Sequence, residues 1–368
     1  MRVVRWVLLG LAAAAVALAV IVASPLLEDR RIRLRSLVTL DPPPAPLAVR
    51  LGGHALSVTG ALVREQGPDR LVLRAFGPTP AIRVVEAGGP GEVRIDVENL
   101  PLRVRLDAAG PVEETRHGLT RALRFAPQAT RRLAFAPPER ETTFAVLGDT
   151  GDSGEFAAAL RLAGLKGADF FLHGGDVVYE DVQIPIIAGM LDASPVPVYV
   201  SRGNHDYRNE ERIRFMRRLG PPYYVFRMGG ATFVVLDNGG DYLPTFWRRS
   251  TQYRWWRGLA GEPRTGPLFV LMHKPPFDRR TGPRYAPMLD RPFARQLLSD
   301  FTRAGVDAVF TGHVHATYHW VEGGVPYVVS GEGYMSLEGW DRNRMTWARV
   351  RGWEVSIEQI PIWRRPGR

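Results

Sequence analysis

The sequence feature that most constrains the fold is an alternation of short apolar runs and helix-like segments that starts near residue 142. Strands are predicted at TFAVLGD, ADFFLHGGD, VPVYVSRGNHD, ATFVVLDNGGD, PLFVLMH and VDAVFTGHVH. Helices are predicted at EFAAALRLAGL, NEERIRFMRRLG, TQYRWWRGLAG and RPFARQLLSDFTRAG, and a hairpin is predicted at YHWVEG and VPYVVSGEG. Strands that alternate with helices are typical of α/β domains. The sequence therefore predicts an α/β domain over residues 139–368.

A different pattern fills residues 47–138. Short β-like runs such as RLVLRAF, AIRVVEA and EVRIDVE are separated by Gly and Pro, and several of them alternate in polarity. Short strands with intervening turn residues are typical of a β-sandwich. We therefore predict a small all-β domain ahead of the α/β domain, with a structural or partner-facing role.

The amino terminus carries a long apolar segment. Two arginines precede a run from Val7 to about Leu27, which is long enough to span a bilayer as a hydrophobic helix and is also shaped like a signal peptide. Residues 1–27 are predicted to be a signal peptide or membrane anchor, and residues 28–46, which end in DPPPAP, a Pro-rich linker. Because long domains translocate largely regardless of nearby charges, we expect the protein to be exported (periplasmic or secreted) or anchored with its folded domains outside the cytoplasm.

Composition narrows the chemistry that these domains can carry. The 368 residues include no cysteine, which excludes disulfides, thiolate metal sites and cysteine nucleophiles. The formal net charge of +10 fits either a solvated Arg-rich surface or attraction to anions such as phosphate esters and lipid headgroups. Its basic residues are not interleaved with aromatic residues along a groove, so no nucleic-acid partner is expected. The sequence gives no indication of an oligomeric state.

Polar residues follow five of the predicted strands at the points where those strands end. In open α/β sheets, ligands bind outside the carboxyl ends of the strands. Each of the five motifs alone is compatible with a structural role, but five in chain order indicate a shared site. They are Gly148-Asp149-Thr150-Gly151, Gly175-Asp176-Val177-Val178-Tyr179, Gly203-Asn204-His205-Asp206, Val270-Leu271-Met272-His273 and Gly312-His313-Val314-His315.

The motifs contain more metal-binding side chains than one ion needs. The oxygen and nitrogen donors are Asp149, Asp176, Tyr179, Asn204, His273, His313 and His315. Seven donors suit two ions that share a bridging carboxylate. Two ions roughly 3.5–4 Å apart form a clamp for in-line attack at phosphorus. The pattern therefore predicts a dinuclear site, with Tyr179 as a phenolate ligand on the same ion as Asp176.

Over residues 144–333 the sequence resembles the calcineurin-like metallophosphoesterases, and among them the purple acid phosphatases. The motifs that carry the resemblance are GDTG, GDVVY, GNHD, VLMH and GHVH. Many members of the superfamily have Asp-x-His in the first motif. Here Gly151 stands in place of that histidine and Tyr179 is present, as in the purple subgroup. The resemblance implies a metallophosphoesterase-type β-sandwich flanked by helices, with a βαβαβ core.

The resemblance also implies how the donors are shared between two metal ions. The first ion would be bound by Asp149, Tyr179 and His315, the second by Asn204, His273 and His313, and Asp176 would bridge them. It implies Fe(III) at the first site and Zn, Mn or Fe(II) at the second. Hard, anionic donors such as a phenolate and carboxylates suit a trivalent ion.

Two residues beside the ligands are expected to be catalytic. The resemblance implies that His205 hydrogen-bonds the substrate phosphate and protonates the leaving oxygen, that Asp206 orients His205, and that Asn204 also contacts the substrate. Large plant-type members carry further histidines after the fourth motif, but the corresponding stretch here, KPPFDRRTGPRYAP, has none. Its basic residues either bind phosphate, Arg284 above all, or form a solvated loop; they are Lys274, Arg279, Arg280 and Arg284.

The expected function is hydrolysis of phosphate monoesters by attack of a metal-bound hydroxide. This makes the chain a metal-dependent, acid-phosphatase-like phosphoric ester hydrolase, with a phosphate ester as its substrate and a membrane as a partner if residues 1–27 are retained. One alternative is a phosphodiesterase or pyrophosphatase that acts on nucleotides or lipid-linked substrates. The other is a non-catalytic binding protein of the cell envelope.

Overall fold

The computed structural model describes most of the chain from residue 44 onward. The described residues are 16, 44–139, 141–180, 183–207, 211–240, 251–280, 288, 290–334 and 343–363. The predicted anchor or signal peptide (apart from residue 16), residues 28–43 of the predicted linker and Arg284 lie outside them. Of the helices that can be described, none is both long and apolar enough to cross a membrane.

Residues 47–136 form two five-stranded sheets. Their strands are β1 (Leu47–Leu51), β2 (His54–Thr59), β3 (Ala61–Gln66), β4 (Arg70–Ala75), β5 (Ala81–Glu86), β6 (Val93–Glu98), β7 (Arg105–Ala109), β8 (Glu113–His117), β9 (Thr120–Phe125) and β10 (Arg132–Ala136). The strand orders are β1-β2-β5-β10-β7 and β3-β4-β6-β9-β8. Apolar side chains from both sheets belong to one buried cluster, which explains the alternating polarity of these strands.

Residues 141–361 contribute eleven strands in two further sheets. The strands are β11 (Glu141–Leu147), β12 (Phe170–His173), β13 (Val198–Val200), β14 (Tyr224–Met228), β15 (Ala231–Val235), β16 (Leu268–Leu271), β17 (Ala308–Thr311), β18 (Thr317–Glu322), β19 (Val325–Ser330), β20 (Arg344–Arg351) and β21 (Glu354–Pro361). The orders are β13-β12-β11-β20-β21 and β14-β15-β16-β17-β19-β18. Parallel pairing joins β11, β12 and β13 in one sheet and β15, β16, β17 and β19 in the other.

Five α-helices accompany these strands within the described residues. They are α1 (Gly154–Leu165), α2 (Ile184–Asp192), α3 (Glu211–Arg218), α4 (Thr251–Ala260) and α5 (Arg291–Ala304). The side chains of Ser153 and Asp290 cap α1 and α5 by accepting a backbone N–H from the first turn. The predicted α/β class and the hairpin β18–β19 are confirmed. The hairpin β20–β21 was not predicted, and its first strand pairs antiparallel with β11.

Phenylalanines hold the two sheets of this second region together. The ring of Phe144 on β11 stacks on Phe170 of its own sheet at 5.3 Å. It meets Phe233 and Phe310 of the opposite sheet edge-on, at 5.1 and 5.6 Å. All four rings are at most 2% exposed, and such edge-to-face contacts add stability beyond simple burial. The carboxyl ends of the two sheets are therefore fixed next to each other.

The first β region docks on β13, the outermost strand of its sheet. The side-chain amide of Asn99 donates to the carbonyl of Val198 at 3.0 Å and accepts the N–H of Val198 at 2.9 Å. Its own φ of 64° lies in the left-handed region, which asparagine tolerates. Arg64 forms a bidentate ion pair with Asp192 at the end of α2, with two hydrogen bonds of 2.9 Å. One buried apolar cluster runs through both regions.

Candidate metal centre

The predicted donors meet where the two sheets of the second region end. One sheet contributes the residues that follow β11, β12 and β13, namely Asp149, Asp176 and Asn204. The other contributes the residues that follow β16 and β17, namely His273, His313 and His315. The N–H of His313 donates to the carboxylate of Asp149 at 2.7 Å, which links the two sets. The donors thus lie together at the carboxyl ends of the strands, where ligands bind in α/β sheets.

The backbone is strained at four of the donors. Within the described residues, positive φ values occur at five non-glycine positions, namely Asp149 (58°), Asp176 (54°), His313 (70°), His315 (45°) and Asn99 (64°). Each such residue costs about 1–3 kcal/mol, so the surrounding structure must enforce it. Strain of this kind clusters at functional sites, and here it falls on residues predicted independently as ligands.

Glycines make room for the two carboxylates. A Cβ on Gly203 would overlap the Oδ1 atom of Asp176, and a Cβ on Gly312 would overlap the Oδ2 atom of Asp149. The glycines of the GNHD and GHVH motifs are therefore required because the neighbouring carboxylates occupy the space of a side chain.

The donors predicted for the second ion lie within coordination reach of one another. Ligand atoms of Asp176, His273 and His313 all lie within 4.8 Å of each other. The Nε2 atom of His273 is 3.3 Å from Asp176 Oδ2 and 3.0 Å from Asn204 Oδ1. Four oxygen and nitrogen donors from four different motifs thus surround one position.

The donors predicted for the first ion form a second group beside it. The Tyr179 hydroxyl is 3.2 Å from His315 Nε2, which is 3.7 Å from Asp149 Oδ1. A Cβ on Gly151 would lie 3.2 Å from the Tyr179 ring, and Gly151 has a φ of 49°. The phenol ring therefore lies close beside residue 151, where a larger side chain would have to displace it and would be strained at this φ.

Hydrogen bonds beyond the donors orient His273. Its Nδ1–H donates to the carbonyl of Gly174 at 2.9 Å, so its Nε2 lone pair is available to a metal ion. The side chain of Asn238 accepts the N–H groups of His273 and Lys274, both at 3.0 Å, and donates to the carbonyl of Lys274 at 2.7 Å. These bonds fix the backbone that carries His273.

The charges of the site favour cations. Burial raises the pKa of Asp149 well above the usual carboxyl range, and the negative charge of Asp176 adds to this effect. Burial opposes ionisation of Asp176 too, but the imidazoles of His273 and His205 outweigh it and lower the pKa of Asp176. Burial would lower the pKa of His273, but Asp176 raises it to about 9, so without another cation a proton is held between them. A metal ion can replace that proton.

The donor set fits two metal ions. Asp149 Oδ1 is buried and accepts no hydrogen bond within the part of the chain that the structure describes. A buried carboxylate oxygen of this kind is costly unless a cation binds it. Burial lowers the pKa of His315 to about 4, which leaves its imidazole neutral and able to act as a ligand.

The hydrogen bonds of Asp206 differ from its predicted role, which was to orient His205. Its buried carboxylate accepts four backbone N–H groups, from residues 176, 177, 178 and 203, at 2.7–3.1 Å. Both oxygens are used in tying the GDVVY loop to the GNHD loop. Asp206 thus supports the loop that carries Asp176, rather than orienting the His205 imidazole.

Two of the basic residues after the fourth motif are held by carboxylates. Arg279 pairs with Glu322 at 2.7 Å, and Arg280 pairs with Asp278 at 3.0 Å. Arg280 also donates to the carbonyl of Val314, between the two histidines of the GHVH motif, at 3.4 Å. Both guanidinium groups are already neutralised, which does not favour phosphate binding by either. Arg284, the predicted substrate-binding residue, lies outside the described residues.

Comparisons with known proteins find similarity in the region that contains this site. The model of the calcineurin-like phosphoesterase family matches residues 142–317. Purple acid phosphatase 18 of Arabidopsis thaliana is 30% identical over 218 residues, which cover 50% of this chain and 46% of that protein. The serine/threonine-protein phosphatase CPPED1 of Bos taurus is 30% identical over 171 residues, 40% of this chain and 53% of that one.

A solved dimetal phosphatase from Danio rerio superposes with a TM-score of 0.42 at 14% identity, covering 60% of this chain and 99% of its own. The chain spans about half the length of the curated relatives it matches. The family implies a dinuclear metal centre. Residues 142–317 therefore match the calcineurin-like phosphoesterase family, and the chain is similar to the purple acid phosphatases.

Proposed function

We propose that the protein is a metal-dependent phosphoric ester hydrolase that cleaves phosphate monoesters. The observation that carries this proposal is the convergence of seven oxygen and nitrogen donors from five strand ends on one place between two sheets. Two adjacent ions at such a place are suited to phosphoryl chemistry. The likeness of the chain to purple acid phosphatases supports monoesters as the substrate class.

The donors divide between two ions in this proposal as the resemblance implies. Asp149, Tyr179 and His315 would hold the first ion, Asn204, His273 and His313 would hold the second, and Asp176 would contribute to both. Fe(III) at the first site is supported by its phenol and carboxylate donors, and Zn, Mn or Fe(II) at the second by its imidazoles. Such ions, when bound, lower the pKa of water and offset negative charge on a phosphoryl group.

His205 is the proposed proton donor to the leaving oxygen. Its side chain is 27% exposed, the most open position among the histidines that pair with site carboxylates. Its backbone N–H donates to Asp176 Oδ1 at 2.8 Å, and its imidazole ring lies 4.7 Å from the ring of Tyr179 and has Nε2 3.9 Å from Asp176 Oδ2. The imidazole is thus anchored beside the donors and faces the solvent side from which a substrate arrives. The Asn204 amide beside it is suited to donate to a phosphate oxygen.

Export or membrane anchoring remains part of the proposal on sequence grounds alone. The apolar run that begins at Val7 supports it. Lipid-linked or nucleotide diesters are then the alternative substrates. Binding without turnover is the alternative function.

Hydrolysis of p-nitrophenyl phosphate against bis-p-nitrophenyl phosphate tests the proposed function. The full chain is loaded with iron plus zinc or manganese, and an Asp176→Asn variant serves as the blank. We expect a higher kcat/KM for the monoester, lost in the blank. Faster diester cleavage would assign the site to the phosphodiesterase alternative. No turnover of either ester with two metals bound would favour the binding protein.

Replacement of Tyr179 tests the first metal site separately. In the iron-loaded protein, Tyr179→Phe should remove the visible phenolate-to-iron absorption band, because the hydroxyl of this ring lies 3.2 Å from His315 Nε2, which is 3.7 Å from the Asp149 carboxylate. An absorption spectrum of both proteins at equal iron content is the measurement. Tyr334→Phe is the control, because the Tyr334 ring stacks on Tyr179 at 5.2 Å and keeps that contact without its hydroxyl. An unchanged band in Tyr179→Phe would contradict an iron–phenolate bond.

A further inference from the structure

A buried histidine that is not among the predicted ligands lies between two of the ligand loops. His173 is the last residue of β12, has no exposed surface, and packs edge-on against Phe156 at 5.1 Å. Its Nε2 atom is 2.7 Å from the hydroxyl of Thr150, and its Nδ1 atom accepts the N–H of Gly175 at 3.2 Å. Thr150 directly follows Asp149, and Gly175 directly precedes Asp176.

These contacts determine which ring nitrogen carries the proton. A backbone N–H can only donate, so Nδ1 of His173 must be the accepting, unprotonated nitrogen. The single hydroxyl hydrogen of Thr150 is donated to the carbonyl of Gly151 at 3.0 Å. The hydroxyl oxygen therefore accepts from His173, and Nε2 carries the hydrogen. The imidazole is neutral and in the Nε2–H form.

His273 has the opposite arrangement. Its Nδ1–H donates to the carbonyl of Gly174, and its Nε2 atom lies among the metal donors, 3.3 Å from Asp176 Oδ2. The backbone of one loop, residues 174 and 175, thus accepts a hydrogen from Nδ1 of His273 and donates one to Nδ1 of His173. His273 is arranged as a ligand, and His173 as a link between protein groups.

We infer that His173 is a positioning residue that holds the Asp149 and Asp176 loops in a fixed relation, by donating to Thr150 and accepting from Gly175. This inference rests on the proposed dinuclear site. Both aspartates are in strained backbone conformations, with φ values of 58° and 54°, so each loop needs external support. The chain of hydrogen bonds from the Gly175 amide through His173 and Thr150 to the Gly151 carbonyl gives that support.

Burial favours the same protonation state. It lowers the pKa of His173 to about 3, so the ring stays neutral at neutral pH. A proton on Nδ1 would face the N–H of Gly175 and break that hydrogen bond. The geometry and the cost of a buried charge therefore agree.

The tautomer is tested directly by nitrogen-15 NMR of histidine-labelled full-length protein. The His173 signal is identified by its loss in His173→Asn. We expect the pattern of a neutral Nε2–H ring at pH 7, with and without Zn²⁺. A neutral Nδ1–H pattern, or a charged ring, would overturn the inferred hydrogen-bond chain.

Three substitutions separate the two contacts of His173. Asparagine can replace Nδ1 as an acceptor for Gly175 but cannot reach Thr150. Glutamine can replace Nε2 as a donor to Thr150 but does not accept from Gly175. Leucine makes neither contact. We expect Zn²⁺ affinity to fall about 10–100-fold in His173→Leu, the usual effect of removing a partner behind a ligand, and less in the other two.

A double-mutant cycle with Thr150 tests whether the residues act as one unit. Thr150→Val removes the hydroxyl, and Thr150→Ser is the control that keeps it. If His173 acts through Thr150, Thr150→Val combined with His173→Leu weakens Zn²⁺ binding by less than the product of the two single effects. Independent effects, or wild-type Zn²⁺ affinity in all three His173 variants, would refute the inference. If His173→Leu does not fold, as judged by circular dichroism, the asparagine and glutamine variants carry the test.

The measurements distinguish failure of this inference from failure of the proposed function. Metal affinity and the tautomer are read without any substrate. A protein that binds Zn²⁺ through the predicted site and shows the expected His173 effects, but hydrolyses no ester, would refute the function and leave the positioning role intact.

Discussion

Asp176→Asn is expected to abolish ester hydrolysis. The loss in kcat/KM should exceed the roughly 100-fold effect typical of changes one layer behind a metal ligand. Asparagine keeps the shape of the side chain and can still accept the N–H of His205, which lies 2.8 Å from Oδ1. It removes the negative charge that stands 3.3 Å from His273 and belongs to the proposed bridge. Kinetics with p-nitrophenyl phosphate, together with metal content per chain, measure the effect.

Asp152→Asn is the matched control for this variant. Asp152 is exposed, lies three residues from Asp149, and accepts a hydrogen bond from Gln183 at 3.1 Å. Its replacement removes the same charge close to the site but outside the donor set, so activity should stay close to that of the unchanged protein. Retention of more than a tenth of the activity by Asp176→Asn with two metals bound would refute the bridging role.

Asp237→Leu is expected to lower the free energy of unfolding by about 3–5 kcal/mol. Asp237 and Arg202 form an ion pair whose side chains are at most 1% exposed. Tyr207 donates to the same carboxylate at 2.6 and 2.7 Å, and the Arg202 guanidinium lies 4.2 Å from the Tyr207 ring. Leucine leaves a buried guanidinium without its carboxylate. Denaturation by urea, monitored by tryptophan fluorescence, measures the loss.

The double substitution Arg202→Met with Asp237→Leu should recover most of this loss, because it removes both buried charges together. Asp107→Asn breaks an ion pair with Arg132 whose side chains are 59% and 49% exposed. This control should cost less than about 1 kcal/mol. A cost below that limit for Asp237→Leu would mean that the buried pair does not support the fold.

The donors of the site could be predicted because each belongs to a short local motif. Asp149, Asp176 and His273 each follow an apolar strand, and one rule about parallel sheets brings the ends of such strands together. The resemblance links Gly151 with Tyr179, and the structure places the Tyr179 ring directly beside residue 151. The fold class was predictable for the same reason, since it depends on a regular order of strands and helices.

The supporting contacts could not be predicted because they join residues that are distant in the chain and carry no local pattern. Asn238 reaches the backbone of His273 across 35 positions, and Arg202 reaches Asp237 across 35. Asp206 was assigned from its place beside His205, although its hydrogen bonds go to the backbone of another loop. These partners are set by tertiary packing rather than by sequence spacing.

The docking of Asn99 on β13 has a consequence for shortened versions of this protein. The amide of Asn99 covers hydrogen-bonding groups on β13, the outermost strand of its sheet, and the buried apolar cluster continues from one region into the other. A truncated protein that starts near residue 139 would bare both that strand edge and an apolar surface, and open edges recruit strands from other molecules. We expect such a fragment to be insoluble when it is expressed alone. We therefore expect the unit that can be purified to be longer than residues 142–317, which the family model matches.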